Sequence, residues 1–66
     1  MDNKELLKSI EISHEWTAES ILKLRELVKN EEKFTQAAIT EMRQEALMNI
    51  QLNITEMKIL ALELEA

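Results

Sequence analysis

The chain has 66 residues, a net charge of −5 and a pI near 4.8, with no Cys, Gly or Pro. That length supports one small domain at most, and without Cys neither disulfides nor thiolate metal sites can brace it. Thirteen acidic residues against eight basic ones argue against a nucleic-acid binder, which needs a basic stripe to displace counterions from phosphate.

Missing Gly and Pro set the expected fold class. Strand hairpins favour turns with positive φ, which Gly, Asn-Gly or Asp-Gly supply. The bulk residues are Glu, Leu, Lys, Ala, Ile and Met, mostly strong helix formers. The expectation is an all-α antiparallel helical hairpin that assembles into a dimeric four-helix bundle. A domain this short buries only about 60% of the surface its unfolded chain exposes, so small folds lean on a partner subunit.

Met1 to Glu5 carry no apolar signal core, and no apolar run reaches the roughly 18 residues of a membrane span. A soluble cytoplasmic protein is the default expectation. Helix 1 is predicted over about 3–29, opened by Asp2-Asn3-Lys4-Glu5 at capping-box spacing. Its apolar stripe reads Leu6, Leu7, Ile10, Thr17, Ile21, Leu24, Leu27 and Val28. Ser13, His14, Thr17 and Ser20 lie on or beside that stripe and make its middle less apolar than its ends. A competing reading breaks the helix near Thr17, which would cap a second helix and give three in all.

Lys29-Asn30-Glu31-Glu32-Lys33 is the clearest punctuation, placing a turn at about 30–34. Asn30 and Thr35 are candidate caps. Helix 2 is predicted over about 35–64, with Ile39, Met42, Ala46, Ile50, Met57, Leu60 and Leu64 as its stripe. Met48, Leu52, Ile59 and Leu62 fall on its far side. Residues 46–64 are therefore apolar nearly all round, which calls for more than one neighbour. Asn49 to Thr55 also alternates with period two, so a β C-terminus competes with the helix.

Candidate chemistry is sparse. Glu11-x-x-His14 puts a carboxylate and an imidazole on one helical face, and paired copies of that spacing build metal sites in four-helix bundles. These two residues are the metal candidates, although antiparallel pairing sets Met48, Asn49 and Leu52, not carboxylates, opposite His14. Ser13 and His14 point about 100° apart on a helix and cannot form a dyad. No nucleophile elbow or Gly-rich loop is present, so no catalytic residue and no cofactor are expected.

Binding fits better. Trp16 sits at the edge of the helix 1 stripe on the flank of Leu27, with Ile12 and Leu22 outside the stripe. Interface candidates are Trp16, Leu27, Met48, Leu52, Ile59 and Leu62. Asn49 and Asn53, one turn apart near the seam, are candidates to fix register. The expected function is a non-enzymatic protein–protein interaction module of adaptor, inhibitor, chaperone or antitoxin type. A metal-binding bundle through Glu11 and His14, or a purely structural or designed assembly, is the alternative.

Overall fold

A computed structural model describes residues 2–65. They form two helices, α1 (Asn3–Lys29) and α2 (Gln36–Glu65), folded against each other through a 3-10 turn over Glu31–Lys33. The result is a rod of 48 × 14 × 12 Å. Its long axis matches helices of 27 and 30 residues at about 1.5 Å per residue. Among the described residues, no helix is long and apolar enough to cross a membrane.

Both ends of α1 and the start of α2 have identifiable caps. Asp2 precedes α1 in extended backbone, and its Oδ1 accepts from the Glu5 N–H at 2.9 Å. This is the forward half of the expected capping box, and it satisfies one of the orphan N–H groups of the first turn. At the other end of α1, helices commonly recruit Gly with positive φ. No described residue here has positive φ. Asn30 substitutes: its backbone N–H and its Nδ2 both donate to the Glu26 carbonyl, at 3.0 and 2.9 Å. The chain then takes one 3-10 turn, with the Lys33 N–H donating to the Asn30 carbonyl at 2.9 Å. Phe34 swings into extended backbone at φ −119°, ψ 153°. Thr35 restarts the helix, its Oγ1 accepting from the Ala38 N–H at 3.1 Å.

Both competing readings of the sequence give way to continuous helix. No break occurs at Thr17, because its Oγ1 donates to the Ser13 carbonyl at 2.9 Å inside unbroken α1. A Thr hydroxyl bonded back by one turn is compatible with helix interior. The alternating run 49–55 is helical too, and no strand occurs among the described residues. Asn53 uses its Nδ2 to donate to the Asn49 carbonyl at 2.9 Å, so its amide is satisfied within α2.

The seam between the helices follows a strict heptad on α1. Leu6, Ser13, Ser20 and Leu27 are buried, and Ile10, Thr17 and Leu24 between them are half-buried. Spacings of four and three hold one face against a neighbour. On α2 the seam runs Ile39, Met42, Ala46, Asn49, Asn53, Met57, Leu60 and Leu64. Two successive steps of four, from Asn49 through Asn53 to Met57, form a stutter that locally unwinds the pairing. Small Ser13, Ser20 and Ala46 take up little of the space between the helices. No fully buried side-chain polar atom among the described residues lacks a partner.

This seam makes a thin core. Leu6, Leu27, Ala46 and Leu60 are the buried hydrophobic residues, and even Leu6 retains 3% exposure. The chain exposes 5455 Å², where a compact monomer of 7.7 kDa exposes roughly 4,300 Å². The radius of gyration is 15.1 Å, against about 11 Å for a compact domain of this length.

Two substitutions test the cap and the seam by thermal unfolding. Thr35→Ala removes the α2 cap and is expected to cost about 1 kcal/mol. Ala46→Leu overfills the narrow centre of the seam and is expected to cost about 1–3 kcal/mol. An Ala46→Leu protein as stable as the parent would mean that the helices are not closely apposed there.

Candidate interaction surface

Because the seam occupies one line on each helix, the rest of each circumference divides into two flanks. In an antiparallel pair, like flanks of the two helices meet and form two broad faces. Lining of the surface depressions fixes which residues share a face. Ser9, Ile12, Ser13, Trp16, Leu52, Asn53 and Glu56 surround a depression of about 430 Å³. Leu22, Lys23, Glu26, Phe34 and Glu45 help line a second one of about 670 Å³, nearer the turn. Both lie on one flank, one beyond the other along the rod and with no lining residue in common, and together they make up a groove in two parts.

The groove has an apolar floor and an acidic rim. Ile12 and Trp16 come from α1, and Leu52 from α2; Trp16 is 57% exposed and Leu52 63%. Helical spacing places Glu5, Glu19 and Glu26 of α1 along this flank, with Glu41, Glu45, Glu56 and Glu63 of α2. Lys23 and Lys33 are the basic residues among those lining the depression near the turn.

The opposite face differs in both respects. Positions one step past the buried seam residues of α1 are Leu7, His14, Ile21 and Val28, repeating along the whole helix. Leu47, Ile50, Ile54 and Ala61 of α2 fall on the same side by their helical angle. Leu7, Ile21, Val28, Leu47 and Ile54 are exposed large hydrophobic residues. Charged residues bordering this face are Lys4, Arg25, Arg43 and Lys58, against Glu11. Fixed charge is thus segregated, acidic around the groove and mostly basic around the aliphatic face.

The sequence-predicted residues distribute over these surfaces. Trp16 and Leu52 are brought together in the groove. Met48 and Ile59 are exposed on the same flank, farther round α2. Leu62 is 67% exposed and points away from α1. Leu27 lies in the seam, buried between the two helices. Asn49 and Asn53 are half-buried there, so the Asn53 hydrogen bond is made to its own helix and not across the seam.

Periodicity alone sets the α1 stripe about half a flank away from the seam. It counts Leu7, Ile21 and Val28 with the core, where the fold leaves them exposed, and it sets Ser13 and Ser20 on or beside the stripe, where the fold buries them. The heptad through Leu6, Ser13, Ser20 and Leu27 is the signal that finds the seam, obscured by the polarity of the two serines. Segregation of charge is also readable, but only once the seam fixes where each flank begins.

Glu11 and His14 are both exposed, one turn apart beside the aliphatic face. Among the described residues no group of three potential ligands converges. One hairpin therefore offers two donors where a zinc site takes three or four. The groove is open along its length, which suits contact with a macromolecule and not the enclosure of a small substrate. Comparison of the chain with protein-family models, with curated proteins and with solved structures returns no match.

Stoichiometric Co(II) is expected to leave the visible spectrum and the melting temperature of the protein unchanged. A change that His14→Ala abolishes would assign Glu11 and His14 a metal-binding role.

Proposed function

We propose that this chain is a small protein–protein interaction module without enzymatic activity. Two hairpins associate into a helical bundle, and the assembly binds a further protein, as adaptors, inhibitors, chaperones and antitoxins do. The observation that carries this reading is the imbalance between core and surface. Among the described residues four hydrophobic ones are buried, while thirteen large ones, from Leu7 to Leu62, remain exposed.

Two independent quantities support self-association. The hairpin exposes about 1,100 Å² more than a compact monomer of its mass. A standard protein interface removes about 800 Å² from each partner, so one such interface absorbs most of the excess. The apolar stripe of α1 supplies the second. Its seam half faces α2, and its other half, Leu7, Ile21 and Val28, is left uncovered along the full helix. A stripe this wide fits a helix with two neighbours.

The aliphatic face is the seat of the second copy in this proposal. Its apolar positions run the length of the rod, and its bordering charges include Glu11 among the cations. Long Lys and Arg stems can lie over the apolar rim while their charged ends stay in water. The second reading, a metal-binding bundle, draws on the same face: dimerisation there brings two Glu11–His14 pairs into one interface. The cobalt titration separates the two.

Sedimentation equilibrium tests the assembly. A dimer is expected at micromolar concentration, with a melting temperature that rises with protein concentration. Ile21→Lys with Ile54→Lys is expected to yield monomer or unfolded chain. A well-folded, stable monomer of the parent sequence would overturn the proposal.

A further inference from the structure

We propose that the acidic groove over Ile12, Trp16 and Leu52 receives an amphipathic helix with a basic polar face, supplied by another protein. This inference rests on the interaction-module reading and names the partner's chemistry and its seat.

Shape favours a helix. The groove runs along the line between α1 and α2, from Phe34 near the turn to Ser9 and Glu56. At about 1.5 Å per residue, the stretch of α1 from Ser9 to Asn30 is roughly 30 Å long, the length of a helix of about 20 residues. A third helix laid between two others inserts one apolar stripe into their shared groove. Trp16 is a fitting anchor, a large amphipathic ring on the wall of the depression farther from the turn.

Charge selects the occupant. Seven glutamates border this flank, from Glu5 to Glu63, against Lys23 and Lys33, the two lysines that line the depression near the turn, so the balance is acidic. A second copy placed here by a two-fold axis would set one acidic rim against another, which like-charge repulsion opposes. Nucleic acid is repelled for the same reason. A helix carrying Lys and Arg beside its apolar stripe meets complementary charge on both sides, and their alkyl stems extend the apolar contact. Such a complex binds faster and more tightly at low salt.

The test uses the full chain and a synthetic Leu/Lys amphipathic helix of about 20 residues that lacks Trp. Emission of Trp16, the single Trp of the chain, reports the groove directly. Trp16 is expected to be accessible to a neutral quencher in the free protein. It should shift to the blue and become shielded as peptide saturates at one per hairpin. A Leu/Glu helix with the same apolar face is expected not to bind. Leu52→Lys, at a site exposed enough to spare the fold, is expected to weaken binding by about tenfold or more. Glu45→Gln with Glu56→Gln is expected to weaken it and flatten its salt dependence, whereas Glu15→Gln with Glu32→Gln leaves it unchanged.

Five results would overturn the inference: no binding of the Leu/Lys helix, equal binding of the acidic helix, binding indifferent to Leu52→Lys, equal loss from both glutamate pairs, or Trp16 already shielded in the free protein. The last result would place another copy of the chain in the groove, and growth of oligomers beyond the dimer would identify its basic face as the occupant. Sedimentation run alongside keeps the two proposals apart. A dimer that ignores the peptide defeats this inference alone, and a monomer that binds it one to one defeats only the assembly.

Discussion

Two helices laid side by side touch along one line, and that line covers a small part of each circumference. The sequence of this chain supplies far more apolar surface than one such line can hide. Its seam is also narrow, because Ser13, Ser20 and Ala46 occupy central positions where larger residues would widen the buried layer. Thirteen large hydrophobic residues are consequently left on the outside of a hairpin whose backbone is ordered into helix and capped turn. Local structure and burial pull in different directions: the first is complete within one chain, and the second is not.

How the chain divides its remaining surface gives the two faces distinct characters. One is aliphatic along its whole length with a mostly basic border, and the other is a groove with Trp16 and Phe34 in its two parts and a mostly acidic border. The heptad phase of α1 generates both at once. Had the seam run through Leu7, Ile21 and Val28, Ser13 and Ser20 would have moved out of it together with Leu6 and Leu27, and α1 would have left a shorter apolar stripe uncovered. A shift of one residue in the pairing thus lengthens the stripe that is left over.

Much of the architecture is legible in the residues themselves. Absence of Gly and Pro, the polar run at Lys29–Lys33 and the Asp2 cap predict a helical hairpin, and each has a direct counterpart in the fold. The all-round apolarity of residues 46–64 is equally visible, and it reappears as exposed Met48, Leu52, Ile59 and Leu62. The seam is harder to read. Polarity scales place Ser13 and Ser20 outside a core, yet a small hydroxyl residue fits where two backbones approach closely. Trp16 is recognisable as an edge residue from its angle on α1. Its meeting with Leu52 depends on the pairing register, which periodicity within one helix does not contain. Alternation at 49–55 is a false signal: the whole run is helical, with Asn49, Ile50 and Asn53 half-buried and Leu52 and Ile54 exposed.

The turn between the helices has a kinetic consequence. Asn30, a single 3-10 turn, extended Phe34 and capping Thr35 reverse the chain with no proline and no left-handed backbone. Slow refolding phases of tens of seconds in small proteins commonly come from proline isomerisation, and this chain has no such bond to isomerise. Helix growth and closure of a short turn are submicrosecond to microsecond events. In the proposed assembly, folding time is therefore spent where two separate chains must find each other, and encounter, not rearrangement, becomes the clock.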